Sequence, residues 1–482
     1  MPAYGPTQDD DKPVWETHIA AGLNRVMAVY QVGYRGDRDH EIGYAIAIAV
    51  EQAPPGDNAP SGKPWRWIEE GFVGDPNDPN GIDKPYDPTV AYDAATGNFV
   101  VAGQGSGSEH CPAHPAPILA RYDPELGWLD GGWNWIVLNG DPNDPAPCCD
   151  KPWLVAGEIT GDPPEQEFYI CYTGLGGGVV CLRSTDGAAT WRGDYVTVGG
   201  HWVYGGFPCP AVHGDGSVYL AFIANAGYQF VRGQDPDPNT PEDPMTWDYL
   251  YDSNDPNDHL EVELIANDVN GFLPHVTNHG AVEMFPQFAA APKTDPNDPD
   301  VLYVVYHDLV SPPGEGPDQD VDVFLVKLTR EPFYGTWTAD PRVRVNDDEV
   351  EWVADQFLPA LTVDPLGRIH VIFYDDRYHE FQDDSTDRPK FDVYYAYSDT
   401  GGEDFINLRL FLEPELPPEE DPAVDFWHDV HEDFELTDYI GITYRQSGVH
   451  TDIFTSYTGT YHTNDPDESL IWSSRILWSA SP

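Results

Sequence analysis

One pattern recurs seven times along the chain and limits what it can fold into. A small residue or proline opens a short apolar strand, a turn with Gly or Asp follows, and a second, strongly apolar strand ends in an aromatic. The copies begin with ETHIAAGLNRVMAVYQVG at Glu16 and DPTVAYDAATGNFVVAGQG at Asp87. They continue with KPWLVAGEITGDPPEQEFYICYTG at Lys151, CPAVHGDGSVYLAFIAN at Cys209 and FPQFAAAPKTDPNDPDVLYVVYHD at Phe285. LPALTVDPLGRIHVIFYDDR at Leu358 and DYIGITYRQSGVHTDIFTSYTG at Asp438 complete the set. Each is followed by further strand-like runs such as EIGYAIAIAV or FDVYYAYS, and no stretch has helical periodicity. Repetition of this kind overrides the roughly three domains that length alone suggests. It predicts an all-β chain, a seven-bladed β-propeller with six blades as the fallback. Blades are expected to start near residues 14, 83, 150, 205, 281, 354 and 436, after an N-terminal extension over 1–13. Two stacked β-sandwiches would explain the strands but not seven copies of one motif.

Composition narrows the function. The 24 Lys plus Arg against 83 Asp plus Glu give a net charge of −59, while 13% aromatics supply a large core. Clustered cations for nucleic acid or an anionic membrane surface are lacking, and no run of about 18 apolar residues spans a bilayer. The balance points instead to bound cations or a saline, calcium-rich medium. Much of it lies in inserts between strands. DPNDP occurs at Asp75, Asp141 and Asp295, and the stretch from Leu412 is the longest acidic insert. Asp75, Asn77 and Asp78 have the alternation of a calcium loop without the full EF-hand order, so calcium is the expected cofactor; plain solvated turns are the alternative.

All six cysteines lie between Cys111 and Cys209, with no C-x-x-C pair. Cys171 and Cys181 flank YTGLGGGVV and are expected to face each other across two antiparallel strands. The expected disulfides are Cys171–Cys181, Cys111–Cys148 and Cys149–Cys209, with an oxidising, extracellular or periplasmic compartment. The start of the chain carries no signal-peptide pattern.

Two turns carry a more specific pattern. Ser184-Thr185-Asp186-Gly187-Ala188-Ala189-Thr190-Trp191 and Ser398-Asp399-Thr400-Gly401-Gly402-Glu403-Asp404-Phe405 resemble the Asp-box of sialidase-like (BNR-repeat) propellers, S-x-D-x-G-x-x-W/F. The first has Ala188 at the usual glycine, and the second has Thr400 for the Asp. The resemblance implies a structural role for Ser184, Asp186, Trp191, Ser398 and Phe405, and says nothing of substrate.

In a propeller the residues ahead of each first strand converge at one mouth. Here they are Glu16 and His18; Asp83, Lys84 and Tyr86; Asp150 and Lys151; Tyr204; Glu283; Asp355 and Gln356; Asp438 and Tyr439. Loops after the second strands add His110, His307, Asp308, Asp375, Asp376 and Arg377. Such carboxylates suit acid–base work on glycosidic bonds. The resemblance implies a Tyr–Glu nucleophile pair, for which Tyr439 and Glu283 are the candidates. Asp83 or Asp150 would act as the acid, with Arg377 as the best-placed arginine. His18, Lys84, Lys151, Tyr204, Asp355 and Asp438 are candidate substrate-binding residues. No R-I-P motif is present. The expected function is an extracellular glycoside hydrolase acting on glycans. The alternatives are a non-catalytic glycan-binding or surface-assembly propeller and, third, a polysaccharide lyase using His110, His114 or Tyr204 as base.

Overall fold

Second strands such as Arg25–Val32, Val218–Ala224 and Ile369–Asp375 are buried along nearly their whole length. A near-continuous apolar run of this kind requires cover on both faces of its sheet. The computed structural model provides that cover by packing sheet against sheet. It describes residues 2–3, 14–32, 41–49, 65–73, 83–106, 115–141, 143–160, 165–224, 227–235, 245–255, 258–266, 272–273, 282–293, 298–310, 320–331, 335–348, 354–377, 390–410, 424–425, 440–447, 450–459, 470–472 and 475–479. At Asp83, Lys84 and Glu283 the backbone alone is described.

The chain is all-β, with no α-helix among the described residues. Its main sheets are antiparallel meanders whose first strands are Val14–Ala21, Asp83–Tyr92, Cys149–Thr160, Gly206–Val212, Gln287–Ala290, Gln356–Val363 and Gly441–Ser447. We refer to them as sheets one to seven. Each first strand packs on the first strand of the next sheet, and that of sheet seven packs back on Val14–Ala21. At this last seam the Ser456 hydroxyl donates to Thr17 Oγ1 at 3.0 Å. Pro2–Ala3 pairs with Leu470–Trp472 of sheet seven, so both ends of the chain meet in one sheet.

In sheets two and six the turn between first and second strands is built on one buried aspartate. Asp93 and Asp364 accept backbone N–H bonds from the residues that follow them, a local arrangement that favours Asp in turns.

The cysteines divide. Cys171 and Cys181 are directly opposed in register and form a disulfide. Cys148 is disulfide-bonded, and its expected partner Cys111 lies outside the described residues. The expected Cys149–Cys209 bond is not formed: both are buried free thiols. Cys149 sits in the core between sheets two and three, directed at Gln104 Oε1 at 3.9 Å, whereas Cys209 belongs to the core of sheets four to seven. Their separate cores, not their sequence spacing, decide this. No helix is long and apolar enough to cross a membrane among the described residues.

Candidate active site at the mouth of the first strands

Five of the seven first strands carry a shared irregularity that re-aims a side chain. Glu16, Asp87, Lys151, Phe207 and Leu358 all have φ between 47° and 54°, and each sits at a shift in register with its second strand. Four of the five precede a proline, where extended backbone is the usual choice. Bulges of this type re-aim a side chain, and strained backbone persists only where surrounding structure holds it.

Three of these side chains converge. Lys151 Nζ lies 3.3 Å from Glu16 Oε1 and 3.2 Å from Asp87 Oδ1, with both carboxylates buried. Gln104 donates to Asp87 Oδ2, and the Asp87 N–H donates to Gln31 Oε1 at 3.2 Å. On the other side the mouth is apolar: Phe207 meets Phe285 edge-on at 4.4 Å, and Lys151 Nζ lies 5.7 Å from the Phe285 ring. This layer floors the mouth. A cavity of about 760 Å³ lies beyond it, lined by residues of all seven first strands from His18, Val90, Trp153, Cys209, Gln287, Ala360 and Ile440 onward. His18 is part of that wall; its Nδ1 accepts the Val90 N–H at 3.3 Å, and burial lowers its pKa to about 4.

A second group forms where sheets five and six meet. Asp376 Oδ1 accepts the Asp355 N–H at 2.7 Å, and Asp355 Oδ1 accepts the Val321 N–H at 3.0 Å. Asp375, fully buried, grips Arg377 through both carboxylate oxygens at 2.7–3.0 Å. Arg377 also donates to Asp347 at 2.6 Å and lies over the Tyr394 ring. Arg344 joins Asp322 and Asp348 at 2.6 Å each. Burial drives the Asp376 carboxyl well above the usual carboxylate range, and the charges of Asp355 and Asp375 add to the rise. Burial also raises Asp375 to about 6, against the pull of Arg377, and raises Asp320 to about 7 with help from Asp322 and Asp348.

These shifts define how stability varies with pH. Asp320 and Asp375 take up protons in the folded chain near 7 and 6, whereas unfolded aspartate ionises at roughly 4. Folding therefore binds protons in that window, and stability rises as pH falls from 8. His18 and His307 oppose this, because burial lowers them to about 4 and about 3. Their cost begins as pH falls below roughly 6.5, where unfolded histidine protonates. The melting temperature is thus expected to rise from about pH 8 to about 6.5, less steeply in Asp320→Asn. Thermal melts across that range check it, and a flat or falling curve contradicts it.

The rim beside Lys151 is aromatic. Asp150 is exposed and pairs in register with Thr173, whose hydroxyl accepts the Phe207 N–H at 3.0 Å. The hairpin beyond Thr173 bridges from Gly178 to Tyr204, which is 58% exposed. Trp202 is 49% exposed and stacks on Tyr195 at 4.4 Å with 9° between the planes. Gly174 and Gly178 make room for this, since a Cβ at either would lie 2.7 Å from the Tyr195 ring.

Of the sequence-predicted residues, the structure brings Lys151 to Glu16, and Asp355 and Arg377 to one cluster. Tyr204 and Asp150 lie on the rim, and His18 lies below the floor. His307 and Asp308 are buried; Asp308 accepts the N–H groups of Ile265, Ala266 and Leu309. Asp83 and Lys84 open the first strand of sheet two, and Glu283 pairs with Phe272. Tyr439, Asp438, Asp75, Asn77, Asp78, His110 and His114 lie outside the described residues. Sequence reasoning missed Asp87, Gln31, Gln104 and Trp202. Only Trp202 had a signal, the out–in–out alternation of Trp202-Val203-Tyr204.

The two box-like turns are wired locally. Asp186 Oδ1 accepts the Ala189 and Thr190 N–H groups at 3.1 and 2.9 Å and the Ser184 hydroxyl at 2.9 Å; Trp191 is buried. In the other, Ser398 Oγ accepts the Thr400 and Gly402 N–H groups, and Phe405 packs against the core.

Three described groups have residue types that can ligate a metal. His213, Asp215 and Asp300 approach one another, but Lys293 and Arg330 pair with Asp300 and Arg232 with Asp215, so a hard cation would have to displace bound cations. In the Asp141 loop, Asp141 Oδ1 accepts both the backbone and side-chain N–H of Asn143 at 2.9 Å. Asp252 does the same for Asn254 at 2.8 and 3.0 Å. These two loops cap their own turns.

No family model matches the chain, and no curated protein matches it. Among solved structures it is similar to the Hadza microbial sialidase Hz136, at 14% identity over 77% of this chain and 65% of that one, with a TM-score of 0.43. It is similar to a protein of unknown function from Dyadobacter fermentans, at 11% identity over 100% and 99%, with a TM-score of 0.40. It is also similar to the leech intramolecular trans-sialidase, at 10% identity over 77% and 66%, with a TM-score of 0.42. The chain thus spans less than two thirds of the length of each of the two sialidases. Likeness at this level says nothing of substrate, and the functional reading rests on the residues described above.

Proposed function

We propose that the protein is an exported, carbohydrate-active propeller of seven blades closed into a ring, and that it hydrolyses glycans at the mouth of its first strands. The observation that carries the reading is the setting of Asp376, whose Oδ1 accepts the Asp355 N–H at 2.7 Å beside the buried Asp375, with burial and then the neighbouring charges raising its carboxyl above the usual range. A carboxyl raised by burial and like charge suits the general-acid role of glycoside hydrolysis. Asp376 acts as the general acid, in place of Asp83 or Asp150. Glu283 and Tyr439 are retained as the nucleophile pair that the family resemblance implies. Arg377 organises the site rather than gripping a substrate carboxylate, because Asp375 and Asp347 already engage its donors. The two box-like turns are read as Asp-boxes, and the Cys171–Cys181 disulfide agrees with export.

A second reading, glycan binding without turnover, is favoured by one observation: Glu16, Asp87, Asp355 and Asp375 are all engaged in bonds within the protein. A screen of neutral and acidic polysaccharides for binding and for released reducing ends separates the two. Release from at least one substrate is expected. Binding without release selects the second reading, and neither removes both. Calcium at the Asp75–Asn77–Asp78 loop belongs to the same proposal. Chelation is expected to lower the melting temperature, and an unaltered value dismisses the ion.

A further inference from the structure

The aromatic rim beside the mouth has the form of a binding surface. Tyr195, Trp202 and Tyr204 come from neighbouring elements of sheet three and the connection to sheet four. Val203 points inward and is 1% exposed, so Trp202 and Tyr204 point outward on one face. One face of the Trp202 indole is covered by Tyr195, and about half of the residue remains exposed. Leu175, on the hairpin below, is also 49% exposed. Isolated exposed apolar residues need no explanation, but a contiguous exposed cluster marks an interaction site. A flat, rigid, amphipathic ring offers large contact area with little entropy to lose.

The charge around this platform selects its ligand. Asp194 precedes Tyr195 and accepts its N–H at 2.8 Å, with Asp194 exposed. Asp150 is exposed where the first strand of sheet three reaches the same rim. Arg192 lies at the far end of the Arg192–Tyr195 strand. Arg377, the arginine expected to meet a carboxylate at the mouth, is occupied by Asp375 and Asp347. An anionic sugar would meet like charge here, and the −59 of the whole chain adds to that repulsion. A nucleobase carried on a phosphate backbone is disfavoured for the same reason.

We propose that Trp202, stacked on Tyr195 and flanked by Tyr204, is a sugar-stacking subsite for uncharged pyranosides, and that the glycan entering the mouth is neutral rather than sialylated or uronate-rich. The apolar C–H face of a pyranose ring lies on the free indole face, and its hydroxyls remain in water or reach Asp150. This inference rests on the glycan reading above, but not on its hydrolytic step.

The test uses the whole chain, with binding followed by titration calorimetry. The neutral probes are cello-, xylo-, manno- and laminari-oligosaccharides; the anionic ones are sialyllactose and oligogalacturonate. At least one neutral probe is expected to bind, and Trp202→Ala to weaken it about tenfold while Trp202→Phe retains most of the affinity. Unchanged circular dichroism and melting of Trp202→Ala separate lost binding from lost fold. Tighter binding of the anionic probes, equal affinity of Trp202→Ala and wild type, or no neutral probe bound each overturns the proposal. Binding is read separately from release of reducing ends, so failure of the hydrolytic reading leaves the subsite standing.

Discussion

Replacing Asp376 with Asn is expected to lower glycan hydrolysis by about 10²–10⁴-fold, the range for loss of a positioned general acid or base. The side chain keeps its shape and its oxygen for the Asp355 N–H, so the backbone contact at 2.7 Å survives. What disappears is a transferable proton. Burial, then the charges of Asp355 and Asp375, keep that proton on Asp376 above the ordinary carboxylate range. The wild-type rate should therefore decline as pH rises through the elevated pKa of Asp376, because the acid is then ionised. That alkaline limb should be missing from the residual activity of Asp376→Asn. Full activity in the variant, or the same alkaline limb, would remove Asp376 from the mechanism. A purely structural role would lower the melting temperature without reshaping the pH profile.

The largest expected effect on stability is at Lys151. Lys151→Met is expected to destabilise the chain by about 3–5 kcal/mol, the cost of leaving buried charge without its partner. Here one ammonium serves two buried carboxylates, Glu16 and Asp87, which are 5% and 3% exposed. The methionine can still pack against Phe285, so the loss is electrostatic rather than a cavity. Combining Lys151→Met with Glu16→Gln and Asp87→Asn should recover a substantial part of the stability, since nothing charged is then stranded. Urea unfolding of the single and triple variants measures both. A change below about 1 kcal/mol in the single variant would mean that water or a rearrangement satisfies the pair, as at exposed ion pairs.

The two predictions act on different parts of one mouth, and their legibility in sequence differs. Glu16 and Lys151 were expected to converge because each precedes a repeated first strand. That inference used only the repeat, and it needed no knowledge of side-chain direction. Asp87 joined them because its bulge reverses the local backbone at φ 51°, a feature that depends on the residue before Pro88 taking an unusual conformation. The Cys171–Cys181 pairing was readable because a short hairpin forces its two strands into register. The Cys149–Cys209 pairing was not, since 59 residues lie between them and each thiol enters a different core. The Asp-Pro-Asn loops looked like cation sites, yet in the one at Asp141 the aspartate caps its own turn. Composition cannot separate those uses, because both need the same oxygen on the same short side chain.

What the sequence determined by itself was strand content, the sevenfold recurrence with its Gly or Asp turns, and the excess of carboxylates. These follow from local rules of spacing and backbone preference that act within a dozen residues. Only the tertiary structure decided which carboxylates matter. Burial and like charge single out Asp376, a shared ammonium neutralises Glu16 and Asp87, and Asp375 ties up Arg377. Protonation and ion pairing depend on dielectric and on distances through space, and both are fixed only when sheets distant in sequence meet at the mouth.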